Sequence, residues 1–188
     1  MNMKKKKHCF RINFYKFLLR TIGKILPLRR HPFGKLANSL RVHYARNISP
    51  HVPKKCIIES GAEIQEDVVI SEGASIGPRC LVQIGTVFEG QNMMGPDVKI
   101  FTSNHNYSVE KHGFNGMTEV NPVYIGKNVW IGANVIITPG VRIGPNSIVG
   151  AGAVVTKSYP GGVLIAGNPA VIKKIIDDEI YRECIKEQ

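Results

Sequence analysis

Residues 125–155 read IGKNVWIGANVIITPGVRIGPNSIVGAGAVV, a stretch in which an aliphatic residue returns at every sixth position. A period of six fits neither the 3.6-residue turn of an amphipathic helix nor the alternation of a half-buried strand. It is typical of a hexapeptide β-helix, in which each hexad forms one short strand and one turn, and three hexads form a triangular coil. The stretch therefore predicts an all-β core of stacked coils.

The same period occupies an earlier part of the chain, one residue out of phase. The large apolar positions of both parts are Ile58, Ile64, Ile70, Ile76, Val82, Phe88, Met94, Ile100, Ile125, Ile131, Ile137, Ile143, Val149 and Val155. Small or branched residues follow four positions later, at Ala62, Val68, Ala74, Cys80, Thr86, Val98, Val129, Val135, Val141, Ser147 and Ala153. We expect the first set to point inward and the second to fill the corners. One coil cannot bury its own apolar face, so fourteen hexads predict four to five stacked coils.

A polar segment interrupts the repeat at residues 105–121, HNYSVEKHGFNGMTEVN. It contains two histidines and two glycines, and it lacks the hexad pattern that is present on both sides of it. We predict a loop extruded from one edge of the prism. Loops held by a rigid scaffold are where functional residues concentrate, so the loop is the first place to search for a site.

The charge of the chain is concentrated at its start. The whole chain carries 25 Lys and Arg against 14 Asp and Glu, and residues 1–55 hold fifteen of the basic residues and none of the acidic ones. Residues 10–26 have helical periodicity, with Phe10, Phe14, Phe17, Leu18, Ile22 and Ile25 on one face. A second helix is predicted from about residue 34 to residue 46.

Two interpretations of this basic arm stay open, and they are compatible. A basic amphipathic helix lies in the headgroup layer of an anionic membrane, which predicts a peripheral contact through residues 1–30. Alternatively, the helices cap the open end of the β-helix, since such ends must be covered. No RNA- or DNA-binding motif accompanies the charge, so we expect no nucleic-acid partner.

The cysteines and the apolar runs indicate the compartment. Cys9, Cys56, Cys80 and Cys184 lack metal-ligand spacing and are predicted to be free thiols in a reducing cytoplasm. The sequence contains no run of about 18 apolar residues, so we predict no transmembrane span. The lysines of residues 4–7 imitate the start of a signal peptide, but Arg11, Lys16 and Arg20 interrupt the apolar stretch that follows, which argues against secretion.

Residues 125–157, followed by AGNPAVIKKI at residues 166–175, resemble the hexapeptide-repeat acyltransferases. The resemblance is nearest to the branch of maltose, galactoside and surface-polysaccharide O-acetyltransferases. It implies a left-handed parallel β-helix, a homotrimer, and acetyl-CoA bound in the groove between adjacent subunits. The expected organisation is a helical arm at residues 1–55, the acetyltransferase domain at residues 56–170, and a tail with a short helix at residues 171–188.

The same resemblance assigns the catalytic base. In this branch a histidine stands at the start of the extruded loop, and PDVKIFTSNH at residues 96–105 matches that place with His105. A neutral imidazole with a pKa near working pH suits an acceptor hydroxyl that must lose a proton as it attacks a thioester. Direct transfer needs no enzyme nucleophile. The alternative for His105 is an ordinary surface histidine, and His112 is the second candidate, otherwise an acceptor-binding or solvated residue.

For coenzyme A the resemblance points to Trp130, Ala133, Ala151, Thr156, Lys157 and Lys174. The two alanines would let the pantetheine chain run close to backbone amides, and the two lysines would meet phosphates. The alternatives are ordinary repeat geometry for Ala151, packing for Trp130, and solvated charge for Lys157 and Lys174.

The acceptor is predicted to be a sugar of a surface glycan or of its precursor. Residues 58–90 lack a clear match to the Asn and acidic residue that place the acceptor in the sugar enzymes, and the basic arm replaces their compact N-terminal domain. Two other functions stay open: acetylation of a xenobiotic or other small molecule, and a non-catalytic β-helix scaffold. A metal enzyme resembling the gamma carbonic anhydrases needs three histidines, and the core region offers only His105 and His112, so we expect no metal.

Overall fold

The hexads fold into short strands of two or three residues that form three parallel sheets, one on each face of a prism. The structure, a computed structural model, describes residues 3–186, with side chains from residue 8 onward. The predicted tail at residues 171–188 therefore ends outside the described residues. The prediction of a hexapeptide β-helix with N-terminal helices and a short C-terminal helix is confirmed.

Within the repeat, each face is built from every third hexad. Face A contains β1 (Ile57–Ile58), β3 (Ser75–Ile76), β6 (Met93–Met94), β11 (Trp130–Ile131), β14 (Ile148–Val149), β16 (Val163–Ala166) and β17 (Val171–Ile175). Face B contains β2 (Glu63–Ile64), β4 (Leu81–Val82), β7 (Lys99–Ile100), β12 (Ile136–Ile137) and β15 (Val154–Val155). Face C contains β5 (Thr86–Phe88), β10 (Val123–Ile125) and β13 (Arg142–Ile143). The chain passes from face A to B to C and returns to A.

The strand register shows where the loop enters. Ile57 lies opposite Ser75, and Ser75 lies opposite Met93, one coil of 18 residues at each step. Met93 lies opposite Trp130, so the loop adds about one further coil's length of chain. This extra chain leaves the prism between β7 and β10, at the corner that joins face B to face C, and forms the antiparallel hairpin of β8 (His105–Ser108) and β9 (Gly113–Met117).

The interior consists of the positions that the period predicts. All fourteen large apolar residues are at most 4% exposed, and the corner residue Cys80 is fully buried. Asn92 occupies a corner position too, where its Oδ1 accepts a hydrogen bond from the Val129 amide at 2.8 Å. Gly132 is needed because the neighbouring coil is so close: a Cβ there would lie 2.6 Å from the Ala151 amide nitrogen.

Helix α3 (Gly34–Ile48) closes the first coil of the prism. Its residues Val42, Ala45 and Ile48 are buried in the same cluster as Ile58. Arg41 is fully buried: Nε donates to the Ile58 carbonyl at 2.6 Å, and Nη1 donates to the carbonyls of Leu26 and Pro27. Burial lowers the pKa of the Arg41 guanidinium, and the charge of Glu59, 3.7 Å away, opposes that shift. Helix α3 therefore packs over the first coil of the prism.

Helix α1 (Met3–Arg20) lies against α3, and the short α2 (Ile22–Ile25) follows it. Its packed face is formed by Ile12, Tyr15 and Leu19, which differs from the phenylalanine face that the sequence pattern singled out. Lys16 and Arg20 reach the prism and pair with glutamates of the β2 region, Glu66 and Glu63. Residues 3–186 contain no helix that combines the length and the apolar character needed to cross a bilayer.

The chain turns back at its C-terminal end. β17 pairs antiparallel with β16 and extends face A beyond the last coil, a strand that the six-residue period did not predict. Helix α4 (Asp178–Lys186) follows at the predicted place. Its first turn is capped by Asp177, whose Oδ1 accepts a hydrogen bond from the Ile180 amide at 3.1 Å.

Candidate functional site

His105 is the first residue of the β8–β9 hairpin, where the chain has just left the corner between faces B and C. Its side chain is exposed to solvent, and the Phe114 ring lies edge-on to the imidazole at a centroid distance of 5.9 Å. Tyr107 contacts the same Phe114 ring at 5.7 Å. The imidazole is thus accessible to a dissolved acceptor while an aromatic pair borders one side of it.

The base of the hairpin is fixed by hydrogen bonds to the prism. Asn104 and Thr118 bridge the two strands, since the Thr118 amide donates to the Asn104 carbonyl at 2.8 Å and the Asn104 amide donates to Thr118 Oγ1 at 2.9 Å. The Thr102 amide donates to Gln83 Oε1 at 2.9 Å. His105 therefore extends from a base that is fixed by hydrogen bonds, whereas residues 109–112 at the tip of the hairpin are exposed.

His112 lies at that tip. It adopts a left-handed backbone conformation with φ of 46° and is exposed. The two histidines of the loop are thus at opposite ends of the hairpin, and only His105 adjoins the prism. This geometry favours His105 over His112 as the residue that meets a substrate held against the prism.

Trp130 and Lys174 lie on the same face of the prism. Trp130 is outward-facing on face A and is 51% exposed. The register runs from Trp130 to Ile148, then to Leu164 and finally to Lys174, so three strand steps separate the two candidate residues. At about 4.8 Å per step the backbone separation is roughly 14 Å. A groove beside Trp130 continues along Met93 and Gln91.

Ala133 and Ala151 lie next to each other at the corner between faces A and B. The Gly152 amide donates to the Ala133 carbonyl at 2.8 Å, which stacks the two turns directly. Neither methyl group is buried. The corner therefore presents a smooth strip of backbone, along which an extended chain can approach main-chain amides.

Thr156 and Lys157 occupy the next corner, between faces B and C, and both are exposed. Backbone bonds run from Phe101 to Ile137 and from Thr138 to Val155, so this turn stands two coils above the point where the hairpin leaves. Lys157 Nζ lies 5.8 Å from the centre of the Tyr159 ring. Thr156 and Lys157 are thus on the same edge of the prism as His105.

One chain does not bring the six coenzyme candidates to a single point. Trp130 and Lys174 are on face A, the two alanines are on one border of face B, and Thr156 and Lys157 are on the other. The candidates therefore fall into three pairs on two adjoining sides of the prism.

The structure also bears on the cysteines and on metals. Cys56 and Cys80 are buried, and burial raises the pKa of each thiol to about 11, which keeps both protonated at neutral pH. Within residues 3–186 no group of three or more His, Cys, Asp or Glu side chains is arranged to hold a metal ion.

Two residues of the candidate site were not identified from the sequence. Phe114 contacts His105 across the hairpin, and no spacing rule pairs residues of an irregular loop. Gln83 accepts from Thr102, and here a signal existed, since Gln65 occupies the equivalent position one coil earlier and accepts from the Ile84 amide at 3.1 Å.

Residues 122–157 match the family model described as bacterial transferase hexapeptide (six repeats). A putative acetyltransferase of Saccharomyces cerevisiae is 46% identical over 114 residues, which are 60% of this chain and 53% of that protein. The galactoside O-acetyltransferase of Lactococcus lactis is 43% identical over 103 residues, 54% of this chain and 49% of that protein. The chain thus spans about half the length of the curated relatives that it matches.

Solved structures resemble the fold over nearly the whole chain. A maltose O-acetyltransferase from Clostridium difficile is 27% identical with a TM-score of 0.62, over 92% of this chain and 89% of that one. A galactoside acetyltransferase solved in complex with coenzyme A is 22% identical with a TM-score of 0.59, over 95% of this chain and 86% of that one, and this second likeness bears on the fold alone.

Proposed function

We propose that the chain is a hexapeptide-repeat acetyltransferase, close to the maltose and galactoside O-acetyltransferases, and that it transfers an acetyl group from acetyl-CoA to a sugar hydroxyl. The acceptor is a sugar of a surface glycan or of a glycan precursor, and the reaction takes place in the cytoplasm. The observation that carries the proposal is the position of His105, an exposed imidazole on a fixed hairpin base at the edge of the prism.

The proposed reaction proceeds in one transfer with His105 as general base. The neutral imidazole takes the proton of the acceptor hydroxyl while that oxygen attacks the acetyl carbonyl carbon. The tetrahedral species then collapses, the carbon–sulfur bond breaks, and the imidazolium returns the proton to the departing thiolate of coenzyme A. The net products are the acetyl ester and the free thiol, and no enzyme nucleophile is needed.

Coenzyme A would run along the prism in an extended form. The strip at Ala133 and Ala151 suits the pantetheine chain because it has no side chain beyond a methyl group. Lys157 and Lys174 would act as point-charge partners of phosphates. Trp130 offers an exposed ring for stacking against an apolar or aromatic part of the molecule.

A site built from all three pairs requires more than one chain. The pairs lie on two adjoining sides of the prism, so a groove formed where one subunit's face meets another subunit's corner would bring them into contact with one ligand. We therefore propose a homotrimer with the acetyl-CoA site between subunits. Light scattering that gave the mass of a monomer for the active enzyme would contradict this arrangement.

The test of the chemistry is thiol release from acetyl-CoA, compared between His105→Ala and the matched loop variant His112→Ala. We expect His105→Ala to lower kcat/KM by about 10²–10⁴-fold, because a general base is lost, and to keep its affinity for acetyl-CoA. We expect His112→Ala to remain within a few-fold of the wild type. Acetyl transfer by His105→Ala at the wild-type rate would contradict the proposed mechanism.

The cofactor assignment has its own signature. Trp130→Ala and Lys174→Ala should raise the KM for acetyl-CoA and leave the KM for the acceptor unchanged, because these residues are proposed to contact only the coenzyme. Isothermal titration with coenzyme A checks the same residues without turnover. Equal affinity in both variants and the wild type would remove these residues from the site.

The acceptor is identified by a panel of nucleotide sugars, lipid-linked glycans, free sugars and xenobiotics. Thiol release only with glycan-pathway acceptors supports the proposal. Transfer only to xenobiotics would favour a small-molecule acetyltransferase. Failure to bind acetyl-CoA at all would instead favour a non-catalytic β-helix scaffold.

A further inference from the structure

Helix α1 is apolar on two opposite sides. Ile12, Tyr15 and Leu19 follow the spacing of one helix face and pack against α3 and the prism. Phe10 lies two residues before Ile12, about 200° away around the helix axis. A second apolar row therefore begins on the side of α1 that faces away from the protein.

That outer row consists of phenylalanines that lack cover in the part of the chain that the structure describes. Phe10, Phe14 and Phe17 are 74%, 48% and 61% exposed, and Ile25 of α2 is 85% exposed. The spacing of four and three residues aligns the three rings on one face. Scattered exposed apolar residues are ordinary, whereas three aligned aromatic rings on one helix indicate a contact surface.

The charged residues of the arm that carries the row are all basic. Residues 1–55 hold fifteen Lys and Arg and no Asp or Glu. Lys16, Arg20 and Arg41 form ion pairs with glutamates of the prism, whereas the exposed Arg11 and Lys24 form none within residues 8–186. Arg11 directly follows Phe10 in the sequence and Lys24 directly precedes Ile25, so these two positive charges lie close in sequence to the exposed apolar residues.

We propose that the row of Phe10, Phe14 and Phe17 docks α1 on the surface of an anionic lipid bilayer. The rings would enter the boundary between headgroups and acyl chains, and the flanking basic residues would meet anionic headgroups. The helix would lie in the plane of the interface, since its inner face is already occupied by α3. The predicted contact through residues 1–30 starts outside the described part, because residues 1–2 and the side chains of residues 3–7 are not described.

Charge argues against a second copy of the same arm as the occupant. An isologous contact through the row would bring two basic arms together without a single acidic residue between them. Repulsion across such a contact opposes it, whereas an anionic membrane supplies the opposite charge over its whole area. The inference concerns binding alone and stands apart from acetyl transfer.

The experiment is co-sedimentation of the full chain with vesicles of phosphatidylcholine, with and without phosphatidylglycerol. The triple variant Phe10→Gln, Phe14→Gln, Phe17→Gln removes the row and keeps good helix formers in α1. We expect the wild type to bind the anionic vesicles, and the triple variant to lose about a hundredfold in partition coefficient. Added salt should weaken the binding of the wild type to anionic vesicles, and so should the double variant Arg11→Gln with Lys24→Gln.

The control variant Ile176→Gln with Ile185→Gln replaces exposed apolar residues at the opposite end of the chain and should bind like the wild type. Unchanged circular dichroism and unchanged transfer to a soluble acceptor would show that the triple variant is folded. Absence of wild-type binding to anionic vesicles would overturn the proposal. So would equal binding by the triple variant, or a change in its mass by light scattering, which would assign the row to a contact between copies.

Discussion

The prism and the N-terminal arm both bury aliphatic residues, but they differ in what those residues contact. In the prism each inward side chain packs against the equivalent residue of the coil above and below, as Ile58 does with Ile76 and Ile131 with Val149. In the arm each buried side chain packs against a different element. Leu19 of α1, for example, belongs to the same cluster as Val42 of α3 and the first coils.

The two regions also satisfy their polar groups differently. The prism pairs backbone with backbone from coil to coil, and its corners use short side chains such as Asn92. The arm meets the prism through long charged side chains: Arg41 reaches three carbonyls, and Lys16 and Arg20 reach glutamates. Each coil of the repeat therefore pairs with the next coil in the same way. The arm depends instead on a few specific contacts, and the loss of one of them should destabilise the region around it.

The largest contrast should appear on truncating one apolar residue in each region. Ile131→Ala removes a fully buried side chain between two coils and should lower the free energy of unfolding by about 2–5 kcal/mol. Phe17→Ala removes a mostly exposed ring and should change it by less than about 0.5 kcal/mol. Guanidinium denaturation at one fixed protein concentration measures both. Equal losses would mean that the phenylalanine row is buried in solution.

The next effect tests the joint between the two regions. Arg41→Met keeps most of the side-chain volume but leaves the carbonyls of Ile58, Leu26 and Pro27 without their donor, which should cost about 3 kcal/mol. Arg46→Met, on the same helix but exposed, is the matched control and should be near neutral. A wild-type denaturation midpoint for Arg41→Met would show that α3 caps the prism through its apolar face alone.

A smaller effect separates the prism from the hairpin that it carries. Gln83→Leu removes the acceptor of the Thr102 amide at the base of the hairpin, and Gln65→Leu removes the same kind of bond one coil earlier. Each should cost about 1 kcal/mol of stability. Only Gln83→Leu should also lower kcat, by about tenfold, because His105 is no longer held in place. An equal kcat in the two variants would mean that the base of the hairpin does not position His105.

The contrast between the regions explains what the sequence could predict. A residue of the repeat packs against its own equivalents, so the period alone assigns Ile58, Ile131 and Val155 to the interior, and all three are fully buried. The interruption of the period likewise marks the place where the hairpin leaves. The entry position of His105 followed from the resemblance of the preceding residues to a family, and its role stays a proposal.

The features that the sequence did not predict depend on tertiary partners. α1 has two apolar faces, and only the position of α3 decides that Tyr15 is packed while Phe14 is exposed. Arg41 looks like any basic residue of the arm in the sequence, although its side chain is fully buried. β17 lacks the hexad pattern because it runs antiparallel at the end of face A and has no coil above it.

The smallest effect concerns Lys16 and Glu66, one of the two ion pairs between α1 and the prism. Burial raises the pKa of Glu66, but the hydrogen bond and charge of Lys16 and the backbone bond outweigh it, so the folded pKa lies below its ordinary value of 4.5. The stabilisation is therefore present above pH 4.5 and is lost as the pH falls through the folded pKa. Because the pair is partly exposed, Glu66→Gln should cost only about 0.5 kcal/mol at pH 7. Glu72→Gln, at an exposed position, is the control. Urea titrations across this pH range should show the free energies of unfolding of Glu66→Gln and the wild type converging in acid. A difference that persisted in acid would assign the effect to packing rather than charge.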